Sequence, residues 1–340
     1  MYKKLKDTLE ILSKSKKIKC FFLGNTAKNE KSTFYITDIR ENNKFIFASA
    51  IIFNDESAKK ISKILDGKVK FILVDTEKKV ISINTKKIVN IEKSTKEMIK
   101  KSEIFTYKGN DLTVEAADTF INNYFIQDIR GVGGKKILII GSGNIGFKLG
   151  LKLVENGASV YLYRRSNKVL NNITNSINYI KPKGTIAKAY RLNKIGHNLN
   201  SFDIIIGATD GKSVLSEQHV NNFKNGIVVL DIGKGIFQKK GLETAINNKI
   251  KLFRLDVTPA YFAYLENIIS TKKLSNFKLF KTKKYGDLSI ATKGILTEKD
   301  TIIVDNLNKP KKIYGISDGY GSFKKTNPRK VKLIEKKLKI

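Results

Sequence analysis

Hydrophobic positions along this chain switch between two spacings, and the switches mark out its elements. Apolar residues recur at helical spacing over 3–15, then run unbroken through "IKCFFLG" at 18–24. "STFYITDI" and "KFIFASAIIF" (32–39 and 44–53) read as strands, and "ESAKKISKIL" (56–65) as an amphipathic helix. Asp66-Gly67 marks the turn into the strand "KVKFILVD" (68–75), and "KVISIN" (79–84) has the composition of one more short strand. "STKEMIKKSEIF" at 94–105 predicts a helix, with Ser94 as N-cap and Glu97 at the capping-box spacing.

From residue 113 the pattern changes. Val114, Ala117, Phe120, Ile121, Tyr124 and Phe125 share one stripe of a long helix, and "RGVGG" ends it. "KKILIIG" is then unbroken and apolar, as in a parallel strand covered on both faces. Helices over 144–156 and 168–178 follow, alternating with strands at "SVYLYRR", 185–190, "FDIIIGAT", "GIVVLDIG" and "IKLFRLDV". Such alternation predicts right-handed βαβ units and a doubly wound sheet. A last helix, "AYFAYLENIISTKKL", precedes a stretch of short strands and turns to about 325, and "RKVKLIEKKLKI" is a basic amphipathic helix. The fold class expected is α/β: a small α/β domain at 1–110, a Rossmann domain with leader helix at 111–272, and a strand-rich extension at 273–340.

Within this frame one motif carries chemistry. Gly141, Gly143 and Gly146 fall in G-x-G-x-x-G spacing between a strand and a helix, the context a dinucleotide loop needs. Gly141 would permit the tight turn, Gly143 the approach of a pyrophosphate, and Gly146 close helix packing, with Ser142, Asn144 and Ile145 completing the loop. The helix N-terminus would offer N–H groups and its positive dipole end to the phosphates. The other reading is a glycine-rich turn without a ligand. The end of the next strand chooses the dinucleotide. NAD sites place Asp or Glu there for the ribose hydroxyls, whereas this chain has Arg164, Arg165 and Ser166, which suit a 2′-phosphate and predict NADP; the alternative is that both arginines simply face water. Ala208, Thr209, Asp210 and Gly233, with Gly207, Asp231 and Gly235 nearby, give small or polar later strand ends where nicotinamide and its ribose could lie.

Composition changes little of this. Net charge is +34, but only seven of the 65 basic residues are arginine and lysines occur throughout, so the charge reads as solvated surface that would steer an anionic substrate rather than as a specific nucleic-acid site. One cysteine, Cys20, excludes an intramolecular disulfide and fits a reducing cytoplasm, with a core role more frequent than a catalytic one. No membrane span, signal segment or metal-ligand spacing is visible. His197 and His219 flank the fourth Rossmann strand without the context of a catalytic acid.

The leader helix, "GKKILIIGSGNIG", "YRRS" and "DIIIGAT" together resemble the amino-acid-dehydrogenase-like Rossmann group, which includes shikimate dehydrogenase, glutamyl-tRNA reductase and methylenetetrahydrofolate dehydrogenase. The resemblance covers about 110–260 and implies a first domain that binds substrate, with nicotinamide in the cleft. In place of shikimate dehydrogenase's N-T-D stands Asn110-Asp111, and the first domain, which has no proline, lacks N-K-x-x-P. Asp111 is thereby the catalytic candidate, with Thr113 beside it and Lys78 or Lys79 as a cleft lysine; helix capping explains Asp111 and Thr113 equally. The expected activity is NADP-dependent hydride transfer to or from a C=O or C=N carbon of a small polar or anionic metabolite. Two alternatives stand beside it: a retained NAD(P) acting as internal redox catalyst, as in ornithine cyclodeaminase, and a non-catalytic dinucleotide sensor. Homo-oligomerisation is left open.

Overall fold

A computed structural model describes residues 2–26, 33–81, 87–196, 198–276 and 282–340. They form two compact units, Met1–Phe262 and Ala263–Ile340. The first unit holds two sheets. Its opening half runs α1 (Tyr2–Lys14), β1 (Ile18–Gly24), β2 (Phe34–Ile36), β3 (Arg40–Glu41), β4 (Phe45–Ile52), α2 (Asp55–Leu65), β5 (Phe71–Asp75), α3 (Ile91–Lys96) and β6 (Glu103–Tyr107). The sheet order is β2-β4-β1-β5-β6; β4, β1, β5 and β6 are parallel, while β2 and β3 pair antiparallel to β4.

Alternation along β1 splits its aromatic run between two cores. Phe21 and Leu23 join Leu5, Leu9, Ile61 and Leu65 of α1 and α2. Phe22 lies on the other face, edge-on to Phe47, Tyr107 and Tyr261 at centroid distances of 5.0, 5.3 and 4.6 Å. Such ring pairs contribute roughly 0.5–1.5 kcal/mol each beyond the area they bury.

The helix expected over 94–105 is a correction. The helix is α3, and Asn90 caps it by accepting from the Lys93 N–H. Ser94 lies inside this helix, donating its hydroxyl to Asp55 at 2.9 Å, so it has no capping role. Glu103–Tyr107 is strand because "EIFTY", rich in β-formers, finds a parallel partner in β5. Of the strand expected over 79–84, Ile81 makes one antiparallel bridge to Ile88, and 82–86 lie outside the described residues.

The second half runs α4 (Gly109–Tyr124), β7 (Lys136–Ile140), α5 (Asn144–Glu155), β8 (Ser159–Tyr163), α6 (Asn167–Ile180), β9 (Ala189–Leu192), β10 (Ile204–Gly207), α7 (Glu217–Val220), β11 (Val228–Asp231), α8 (Lys239–Asn247) and β12 (Lys251–Arg254), with α9 (Thr258–Asn276) beginning beyond it. All six strands are parallel, in the order β12-β11-β10-β7-β8-β9, which is the doubly wound dinucleotide-binding order. β7 is apolar on both faces because both are covered: Ile137 and Ile139 pack with α4, α5 and α6, whereas Leu138 and Ile140 pack with Leu199, Phe202 and Ile236.

The second unit contains β13 (Lys283–Tyr285), β14 (Leu288–Thr292), β15 (Ile302–Val304), β16 (Ile313–Ile316) and α10 (Pro328–Leu338). Its four strands lie in sequence order, and α10 packs on them through Ile334 and Leu338. No helix among the described residues is long and apolar enough to cross a membrane.

Candidate functional site

The site is built on the carboxyl edge of the second sheet, where β7 stops and α5 starts. Gly141 has φ +105°, a conformation that glycine enters freely, and a Cβ there would lie 2.5 Å from the Ala208 carbonyl oxygen. A Cβ at Gly146 would lie 2.1 Å from the Gly141 oxygen, so the helix sits against the loop only because that position is glycine. Gly143 differs. A Cβ there meets nothing within 4 Å, and this residue is the N-cap of α5. Packing explains the outer two glycines, and open space above a helix N-terminus distinguishes the middle one. That is the shape a pyrophosphate needs.

Ser142 is buried and donates its hydroxyl to the Tyr163 carbonyl at 3.2 Å, tying the loop to the end of β8. Arg164 closes the same connection by donating from Nη1 to the Ser142 carbonyl at 2.9 Å. Arg165 and Ser166 are exposed, and Ser166 is the N-cap of α6 without a side-chain capping bond. Asn144 and Ile145 open α5, and Asn144 Oδ1 accepts from Asn110 at 3.3 Å. Farther along the edge, Thr209 donates to the Lys212 carbonyl at 3.1 Å, Ala208 and Thr209 are half-buried, and Asp210 is exposed. A Cβ at Gly233 would fall 1.9 Å from the Thr209 oxygen and one at Gly207 2.8 Å from Ile236 Cβ, so both are glycine for packing.

The two catalytic candidates have separate partners. Asp111, in the first turn of α4, forms an ion pair with Lys148 of α5. Lys152 continues this helix-to-helix ladder to Glu115 at 3.1 Å and Asp118 at 3.5 Å. Lys78 instead pairs with Glu92 at 3.3 Å. Its neighbour Lys79 is more enclosed, bridging Asp75 and Glu77 at 2.8 Å each. Thr113 donates back to the Gly109 carbonyl at 2.9 Å. His219 completes a capping box with Ser216, and His197 lies outside the described residues. Burial pushes the Cys20 thiol up to about 12, so no thiolate nucleophile forms there near neutral pH. No group of three or more metal-ligating side chains occurs among the described residues.

A family model described as shikimate / quinate 5-dehydrogenase matches residues 126–236, the stretch that holds the glycine loop and the ends of β8, β10 and β11. Over this stretch the chain is similar to the amino-acid-dehydrogenase-like Rossmann group. A glutamyl-tRNA reductase from Thermosipho melanesiensis is 26% identical over 207 residues, 56% of this chain and 48% of the relative. The chain thus spans about half the length of the curated relative it matches. Among solved structures, dipicolinate synthase A chain from Bacillus subtilis covers 79% of this chain and 99% of its own at 12% identity and a TM-score of 0.38. A shikimate dehydrogenase in complex with NADP+ covers 70% of this chain and 84% of its own at 16% identity, also at 0.38. L-tryptophan dehydrogenase from Nostoc punctiforme covers 62% and 58% at 13% identity, again at 0.38.

Sequence reasoning missed two features of this Rossmann segment. Lys148 is the partner of Asp111, and in a chain with 65 basic residues nothing local distinguishes it. Asp231 was visible only as one polar strand end, yet its Oδ1 is buried without a hydrogen-bond partner. The other such side-chain atoms among the described residues are both on Asn25, just beyond β1.

Proposed function

We propose that this chain is an NADP-dependent oxidoreductase that moves a hydride between nicotinamide and a C=O or C=N carbon of a small polar or anionic metabolite. The observation that carries the reading is the open space at Gly143 where α5 starts, a Cβ there meeting nothing within 4 Å, between two glycines that packing requires. The residues present fit the dinucleotide. Gly141 to Gly146 would hold the pyrophosphate, with N–H groups and the helix dipole supplying the positive field. Arg165, Ser166 and the α6 N-terminus would take the 2′-phosphate, and Arg164 would brace the loop through Ser142 while presenting its remaining N–H donors. No carboxylate stands at 164–166 to repel that phosphate.

Bound nicotinamide supplies or accepts the hydride at its C4. The chain's own residues would orient it and handle the proton. For the proton we propose Asp111, in reach of Lys148; Lys78 would first have to leave Glu92. That engagement favours one rival, a binding protein without turnover, because neither candidate stands unpaired. NADPH consumption with a metabolite panel separates the two.

The deciding measurement is a fluorescence titration with NADPH and NADH on wild type and on Arg164→Ala/Arg165→Ala. Wild type should prefer NADPH by roughly tenfold or more, as two charge-assisted contacts require, and the double variant should lose that preference. Equal binding of the two dinucleotides by wild type would overturn the 2′-phosphate assignment. Failure to bind either would overturn the function.

A further inference from the structure

α10, in the second unit, uses its two faces differently. Ile334 and Leu338 are buried against the four-stranded sheet. Arg329, Lys332 and Lys336 fall at i, i+3 and i+7, which places them in one row on the exposed side of the helix. Pro328 opens the helix and Asn327 caps it, accepting from the Arg329 N–H at 2.9 Å, so the row begins on a capped first turn. At 1.5 Å per residue it is about 10 Å long. From Lys324 to Lys339 the chain carries eight basic residues and one acidic residue, Glu335.

Lysine is frequent throughout this chain, so the comparison that matters is with its other surface helices. α1 carries Asp7 and Glu10 among its lysines, and Lys4 and Lys14 pair with Asp38 and Glu10 at 3.5 and 2.8 Å. α2 pairs Lys59 with Glu97 at 2.8 Å and Lys60 with Glu56 at 2.6 Å. In α10, Lys337 pairs with Asp287 at 2.6 Å, whereas Arg329, Lys332 and Lys336 enter no ion pair among the described residues. Like charges on adjacent turns repel one another. The unneutralised row is therefore a cost to the free helix that a polyanion would relieve.

We propose that the exposed row of α10 binds the phosphate backbone of duplex DNA without reading its sequence. The duplex carries one negative charge for about every 1.7 Å of axis, so the row faces roughly six of them. A helix about 10–12 Å across matches a major groove about 12 Å wide, and long cationic side chains on its solvent face reach the flanking phosphates. Base edges are read mostly by Arg, Asn and Gln, and the row offers one Arg. Other polyanions fit less well. A single strand needs aromatic rings on which bases stack, and α10 has none. Duplex RNA has a deep, narrow major groove that side chains do not enter. A membrane surface needs an apolar face to insert, and α10 has committed Ile334 and Leu338 to the sheet, leaving Leu333 as its exposed large apolar residue. The row shares no residue with the dinucleotide loop, so this inference stands apart from that reading.

The test is fluorescence anisotropy of the full-length chain with a labelled DNA duplex over a range of salt concentrations. Log affinity should fall linearly with log salt, and Arg329→Gln/Lys332→Gln/Lys336→Gln should lower that slope by about three and weaken binding roughly tenfold or more at low salt. Lys3→Gln/Lys6→Gln/Lys63→Gln removes the same charge from exposed positions on α1 and α2, and should change affinity by less than about threefold. Lys332→Arg/Lys336→Arg keeps the charge and should retain wild-type binding. An unchanged slope in the triple glutamine variant of α10 overturns the proposal, and so does an equal loss in the α1 and α2 control or a loss in the arginine variant. Duplexes of unrelated sequence should bind alike, and a preference above about tenfold between them overturns backbone-only contact. Tighter binding of single-stranded DNA, of duplex RNA, or of vesicles of equal parts phosphatidylglycerol and phosphatidylcholine overturns the assignment to duplex DNA. Absence of duplex binding by wild type at low salt overturns it outright.

Discussion

Asp75 and Asp231 each end a parallel strand, one in each sheet of the first unit, and they are used in opposite ways. Asp75 is 2% exposed, and both of its oxygens are engaged by the chain. Oδ1 accepts from the Glu77 and Gly109 N–H groups at 3.0 and 3.3 Å, and Oδ2 takes Lys79. Glu77 adds a bond from the Asn110 N–H at 2.8 Å, so the two carboxylates together anchor the N-terminus of α4. Asp231 has one oxygen engaged by the loop after it and one with no partner. The first carboxylate is saturated by its own chain, and the second carries a buried acceptor whose lost solvation no donor offsets.

The strongest way to break the second region is to fill its loop. Gly146→Ala puts a methyl group against the Gly141 backbone and should cost about 2–3 kcal/mol as overpacking that no rotamer can relieve. Dinucleotide binding should fall below detection in a titration while the protein still unfolds cooperatively. The same change at Gly143, where nothing lies within 4 Å, should leave the melting temperature nearly unchanged and weaken binding alone.

The contrast itself is tested by paired variants. Asp75→Ala removes a partner of Lys79 and an acceptor for α4, and should cost about 3 kcal/mol in urea unfolding, as for a broken buried pair, with dinucleotide affinity retained. Asp231→Asn should change stability by under about 1 kcal/mol in the same assay because the Gly235 bond survives. Equal stability losses in the two variants would erase the distinction drawn here.

A third aspartate, Asp203, stands just before β10 at the opposite edge and shows what a saturated carboxylate does with pH. Burial works to raise its carboxyl, but the Lys224 ammonium at 2.6 Å and the Lys136 N–H at 2.7 Å outweigh that and hold it below the ordinary range. A depressed folded value means its stabilisation is present above the unfolded value of about 3.9 and is lost as pH falls through the folded one. Asp203→Asn should therefore flatten the loss of stability below about pH 4 and leave dinucleotide binding at neutral pH unchanged. The smallest effect belongs to Lys78→Ala, which breaks a partly exposed pair and should cost under about 1 kcal/mol. A large loss of NADPH turnover from that change would restore Lys78 to the chemistry.

Where the sequence misled, a distant partner won over a local pattern. Ser94 and Glu97 have capping-box spacing, yet Ser94 binds Asp55, 39 residues away, and the backbone begins its helix at Asn90. The helical pattern of 94–105 runs into "EIF", yet Glu103–Tyr107 is an edge strand because β5 lies beside it. The glycine loop escaped this fate because its requirements are local: a turn with positive φ at Gly141 and contact between residues five apart.

Spacing and backbone preference alone therefore determined the alternation of strands and helices, the cradle at Gly141 to Gly146, and the absence of a carboxylate at the end of β8. These follow from torsion angles and from periods of two and 3.6 residues, which a sequence displays directly. Only the tertiary structure decided which charges meet. Asp111 meets Lys148 across 37 positions and Asp203 meets Lys224 across 21, and lysines spread along the whole chain give no local sign of either choice. The same holds for Asp231, whose buried Oδ1 the packed sheet leaves without a donor.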